Sequence, residues 1–314
     1  MIKSFLFIVA AIYCLLVLQA CEKPSERQAD APVSDIRNSK EVSEQFRKYI
    51  ESIEPFFKPM GEPSADEWLA TFPENGQTFE QYIKGNPTLP TEKRDKIYIQ
   101  PIGNFDPLQR KAIENTAKYL ETFFNLSVSL LKEKRFAEPL SLENFRIHPS
   151  WKLKQIRTGY ILEKVLLPEL PDDAAAMIAF TNEDLYPDRN FNFVFGQASL
   201  ENRVGVWSLY RLQENSDFKT FLKRTLKISV HETGHMFSIA HCTKYQCVMS
   251  GTNHLEETDK RPNDACPECM AKIVWMTKTN PQKRYEDLAG LCDKFGLPDE
   301  ADLFRKKAKA IAKQ

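Results

Sequence analysis

The chain has 314 residues, 42% of them hydrophobic, enough to bury the core of one large domain or two small ones. Lysine plus arginine and aspartate plus glutamate number 43 each, so the formal net charge is zero. With no net field to draw in a polyanion, nucleic acid is excluded as the natural partner.

At the N-terminus Lys3 precedes an unbroken apolar run from Phe5 to Leu18, followed by Gln19, Ala20 and Cys21. Fourteen apolar residues are short of the ~20 that span a membrane and suit the h-region of a secretory signal. The ending Leu18-Gln19-Ala20-Cys21 resembles a bacterial lipobox, in which cleavage before the cysteine frees it for lipidation. An uncleaved anchor, or a signal cut elsewhere, is the alternative. Polar residues follow, too poor in large apolar groups to offset the entropy of ordering. The expectation is a signal over 1–20, a flexible tether over 21–45, and attachment to the bacterial cell envelope through a lipid on Cys21.

Short helical stretches are expected over 46–90, where aromatics such as Trp68, Phe72, Phe79 and Tyr82 are broken by proline and glycine. Lys96–Pro101 reads as a strand. A helix opens at Pro107 with Leu108, Ala112, Ile113, Ala117, Leu120, Phe123 and Phe124 in one stripe. Leu126–Leu131 is a second strand candidate, Gly159–Leu167 a helix and Ala174–Phe180 a buried strand. Phe191–Phe195 and Val204–Tyr210 are strand candidates on either side of a connection from Gly196 to Arg203. The longest helix runs from Asp217 to about Phe237, and the chain is then loop-rich through Cys269. Two helices split at Gly296-Leu297-Pro298 close the chain, with Arg305, Lys306, Lys307, Lys309 and Lys313 expected on a solvated face. The order predicts an α/β (α+β) mixture around one mixed sheet.

The segment that carries chemistry is His231-Glu-Thr-Gly-His235-Met-Phe-Ser-Ile-Ala-His241-Cys242. Residues four apart share a helix face, so His231 and His235 can reach one ion. Glu232 stands beside the first ligand, where a carboxylate can take a proton from zinc-activated water. His241, six residues on, joins them only if the helix ends and the chain turns back. Three of the chain's five histidines fall in this window, and the spacing is the extended HExxHxxGxxH signature of metzincin peptidases. Ser238 stands where that signature has glycine. A left-handed serine there costs roughly 1–2 kcal/mol, which puts the turn and the third ligand in doubt. Cys242, Cys247, Cys266 and Cys269 form C-x4-C…C-x2-C, the layout of a structural four-cysteine zinc site. Two disulfides are the competing reading in an exported protein. Cys292 is expected to be a buried thiol, His254 a structural histidine, and His148 is given no role.

From His231 to Cys269 the residues resemble the archaemetzincin signature, HExxHxxGxxHC-x4-C-x-M followed by CxxC. The likeness extends to Trp68-Leu69, Ile97-Tyr-Ile-Gln-Pro-Ile-Gly103, Asp184-Leu-Tyr-Pro187, Asn192 to Leu200 and Gly251 to Glu257, and covers roughly 66–276. It implies a metzincin-like catalytic domain, taken as 46–280, with a mixed β-sheet and an active-site helix; the tail over 281–314, helical from its own residues, departs from the resemblance. The resemblance implies two zinc ions per chain, catalytic and structural, with Met249 packed beneath the first. A zinc-dependent peptidase or aminopeptidase acting on peptide or protein substrates, as a monomer, is the expected function. The alternative is a zinc-stabilised binding protein in which hydrolysis is slow or lost: intact Glu232 favours the enzyme, and Ser238 the alternative.

Overall fold

The computed structural model describes residues 44–199 and 202–314. The signal, Cys21 and all but the last two residues of the expected tether lie outside the described residues. Strands run in chain order β1 Lys96–Ile102, β2 Ser127–Leu130, β3 Phe145–Ile147, β4 Lys154–Arg157, β5 Ala174–Thr181, β6 Asp184–Tyr186, β7 Gly196–Ser199 and β8 Val204–Ser208. The principal sheet has the order β2-β1-β5-β8-β7, parallel except for β7 at its edge. A second, three-stranded sheet, β3-β4-β6, was not anticipated from the sequence.

The central strand β5, AAAMIAFT, is buried at every position. Ala176, Ile178 and Phe180 enter a larger core with Ile97 and Ile99, while Met177 and Ala179 enter a smaller one with Val204 and Val206. A near-continuous apolar run is what a strand covered on both faces requires. The larger core is covered by α4 (Pro107–Phe124) and α6 (Phe218–Met236). α4 starts where expected because Asp106 and Gln109 cap it reciprocally and Pro107 occupies the first turn. The opposite face carries α5 (Thr158–Tyr160), which continues as the π-helical turn Ile161–Leu166 and the 3-10 turn Leu167–Glu169.

On the N-terminal side lie α1 (Glu44–Ile53), α2 (Trp68–Thr71) and α3 (Phe79–Lys84); after α6 come α7 (Leu255–Lys260), α8 (Pro267–Thr277), α9 (Pro281–Phe295) and α10 (Pro298–Ile311). Among the described residues no helix is long and apolar enough to cross a membrane.

Two expectations are corrected. Phe191–Phe195 is not a strand: Val194 makes one isolated bridge to Leu185, and the strand begins at Gly196, inside the expected connection. Phe193 instead takes the Arg211 guanidinium on its ring, 3.7 Å from the centroid. The segment from α6 to Cys269 is loop-rich as expected but not without helix: the short α7 lies within it and Cys269 stands in the first turn of α8. Nor is the basic tail wholly solvated. Lys307 is 0% exposed and donates to Asp264 Oδ2 at 2.8 Å, with its ammonium 4.0 Å from the Phe57 ring centroid. Arg284, also buried, donates to the other oxygen of Asp264 and to the Phe123 carbonyl. The tail is thereby part of the core, with Cys292 buried in it as expected.

Candidate metal centre

Helix α6 begins where the Asp217 carboxylate accepts the Thr220 amide, and Phe221, Leu222, Leu226 and Val230 bury one face of it. Its last two turns carry His231, Glu232 and His235. The helix stops at Phe237, and Ser238 takes φ 63°, the left-handed conformation that the signature glycine would supply. The serine is held there from outside the motif. Its hydroxyl accepts the Thr88 amide at 3.0 Å, its carbonyl accepts the Gln77 side-chain amide at 3.1 Å, and Gln77 Oε1 accepts the Ala240 amide at 3.1 Å. These bonds offset the cost of the missing glycine, and the turn swings His241 back beside the other two histidines.

The three rings converge, with one ligand atom from each lying within 4.8 Å of the others. The Nδ1–H of His231 donates to the Val248 carbonyl at 2.9 Å, and that of His235 to the Ile239 carbonyl at 2.7 Å. Carbonyls only accept, so each Nδ1 keeps the proton and each Nε2 presents a lone pair. Those two Nε2 atoms face one another at 2.9 Å, an arrangement that repels unless a cation stands between them. Burial depresses His231 to about 3 and His235 well below the ordinary range, helped by neighbouring histidines, so both rings stay neutral and fit for ligation. The donor set therefore fits a zinc ion with a position left open. Glu232, half-buried beside His231, is pushed up to about 7 by desolvation, against the opposing influence of His241.

The third histidine is oriented differently. His241 Nδ1–H donates to the Glu74 carboxylate, 2.9 Å from Oε2 and 3.0 Å from Oε1. Nothing in the local sequence signals Glu74, which is 167 residues away. The backbone also runs tight beneath the pair on α6: a Cβ at Gly234 would sit 2.6 Å from Met249 Sδ, so only glycine lets the buried methionine pack there. Met249 thus packs against α6 at Gly234, between His231 and His235 in the chain.

Behind that turn the sulfurs of Cys242, Cys247, Cys266 and Cys269 also gather within 4.8 Å of one another, all buried. They form no disulfide. The other three thiols, led by Cys247, hold Cys242 well below its ordinary value, while burial pushes Cys266 up. Cys247 Sγ accepts the amides of Met249 at 3.4 Å and Cys266 at 3.2 Å. Four sulfurs around one point, supplied with amide donors, fit a structural zinc ion. His254 is structural, as expected: its Nδ1 accepts the Glu257 amide at 3.2 Å and caps α7. His148 Nδ1 accepts the Ser150 and Trp151 amides, and its ring stacks on Trp151.

Residues 94–274 match the family model described as Peptidase family M54. Archaemetzincin-2 of Rattus norvegicus is 34% identical over 276 residues, covering 76% of this chain and 75% of its own length. An archaemetzincin of Archaeoglobus fulgidus is 32% identical over 178 residues, covering 57% of this chain and 98% of its own. The crystal structure of the archaemetzincin of Methanopyrus kandleri superimposes with a TM-score of 0.49 at 26% identity, over 60% of this chain and 99% of that one.

Proposed function

Since the chain belongs to peptidase family M54, the archaemetzincins, and is a zinc metallopeptidase of that family, we propose that His231, His235 and His241 hold its catalytic zinc and that Glu232 is the general base. The observation that carries this reading is the pair of Nε2 lone pairs opposed at 2.9 Å, with the third imidazole alongside. Bound there, zinc would supply Lewis acidity, acidifying water and polarising a peptide carbonyl. Glu232 takes the proton of the attacking water and returns it to the departing amine. Its raised pKa suits both halves of that transfer near neutral pH. A second zinc on Cys242, Cys247, Cys266 and Cys269 fixes the loop that delivers His241, giving two ions per chain. Within peptide hydrolysis we favour an aminopeptidase, acting as a monomer.

The test pairs metal analysis with cleavage of a peptide panel carrying free and blocked N-termini. Glu232→Ala is expected to keep two zinc ions per chain and to lose at least 10²-fold in kcat, the usual scale for a positioned acid–base group. Cleavage at the wild-type rate by that variant would sink the mechanism, and equal cleavage of blocked peptides would remove the aminopeptidase preference. The lipobox-like sequence supports a further proposal, that the enzyme works at the bacterial cell envelope, tethered through a lipid on Cys21.

A further inference from the structure

We propose that Glu74 is a positioning residue of the catalytic zinc site, acting through His241; the proposal rests on the reading of His241 as the third ligand. Two of the three histidines take their orientation from backbone carbonyls of the segment that follows α6, Ile239 and Val248. The third has a carboxylate instead, with both oxygens within 3.0 Å of Nδ1. A carboxylate only accepts, so it keeps the proton on Nδ1 and turns the Nε2 lone pair toward the other two rings. Partners of this kind typically set metal affinity by 10–100-fold.

Glu74 is itself held in place. Trp68 Nε1–H donates to Glu74 Oε1 at 3.1 Å, and the indole meets the His241 ring edge-on with centroids 5.2 Å apart. Trp68 is fixed in turn by its backbone amide, which donates to the Glu257 carboxylate at 3.2 Å, and Glu257 is buried against Arg261 at 2.9 Å. Gly251 makes room for the indole: a Cβ there would lie 2.4 Å from it. A chain of contacts therefore runs from the buried Arg261–Glu257 pair through Trp68 and Glu74 to a metal ligand. Both Trp68 and Glu74 precede residues 94–274, the part that the family model matches. The N-terminal segment thus finishes a site whose donors all lie elsewhere.

The Glu74 side chain is 30% exposed, so replacing it disturbs no core. The experiment compares the full-length zinc-loaded protein with Glu74→Ala and Glu74→Gln. It measures zinc release to a competing chelator, the visible spectrum after cobalt replaces zinc, and peptide kinetics. Glu74→Ala is expected to bind the labile zinc 10–100-fold more weakly, to shift the cobalt bands, and to lower kcat more than it raises KM. Glu74→Gln, which can still accept from Nδ1–H, recovers most of the affinity and the spectrum. The cysteine-bound ion stays in place in both variants. Wild-type affinity and spectrum in Glu74→Ala, on a wild type that holds two zinc ions, would overturn this proposal alone. Loss of both ions together would mark Glu74 as merely structural and overturn it as well. A wild type whose only zinc survives His231→Ala would overturn the ligand assignment itself, and Glu74 with it.

Discussion

Lys227 sits one helical turn before His231, its ammonium buried in α6 and donating to the Thr258 carbonyl at 2.6 Å. Desolvation lowers it from 10.5 to about 8. Between those values the unfolded chain binds the proton and the folded chain does not, so stability rises with pH across that window and is least favoured below it. The expected signature is a gain of about 1.4 kcal/mol per pH unit in unfolding free energy, relative to Lys227→Met. Urea titrations of both proteins from pH 8 to 10 check it, and parallel curves would refute it. At this scale the donors themselves were legible, because helical spacing ties His231 to His235 and the cysteine pairs announce themselves. Glu74, Gln77 and Thr88 were not. They reach the His241 turn through space, and no local pattern marks a residue whose partner is 150 or more positions away.

At the scale of elements, β7 closes one edge of the principal sheet. Phe195 O accepts the Ser208 amide at 2.8 Å, and Gly196 lies opposite Trp207. Antiparallel alternation then pairs Gln197 and Ser199 with β8 by hydrogen bonds and leaves the amide and carbonyl of Ala198 facing outward. An extended peptide could add to that edge, next to the catalytic helix that β7 touches. Ala198→Pro removes only an outward N–H, a change that edge strands tolerate. It should leave the melting temperature near wild type and lower kcat/KM by about 10-fold, the worth of one backbone hydrogen bond; unchanged kcat/KM would exclude the role. The strand was misplaced in the sequence because Phe191, Phe193 and Phe195 look like β-formers. The rings of Phe193 and Phe195 serve a side-chain cluster with Trp151 and Arg211 instead, while the paired strand Gly-Gln-Ala-Ser has little β propensity of its own.

For the whole molecule, the alternation of apolar runs and helical stripes was sufficient to indicate a mixed sheet under helices. The assembly of the ends was hidden. A lysine-rich helix reads as solvated, yet Lys307 has Asp264 and three aromatic rings to receive it, and charge composition alone cannot reveal a buried partner. α10 also touches α1, so segments on both sides of the family-matched region meet. The proposed tether belongs at this scale. Wild type expressed with its own N-terminus should partition into the detergent phase, and Cys21→Ser should move it to the aqueous phase. Equal partitioning would remove the lipid anchor.

His241 and Cys242 are neighbours in the chain but serve opposite sides of one turn, the first facing the histidine site and the second the cysteine site. That adjacency leaves no slack. Inserting or deleting a single residue between His235 and Cys247 would slide one donor set out of step with the other. The two sites consequently form one heritable unit. A variant that keeps both donor clusters must therefore keep the spacing through this stretch.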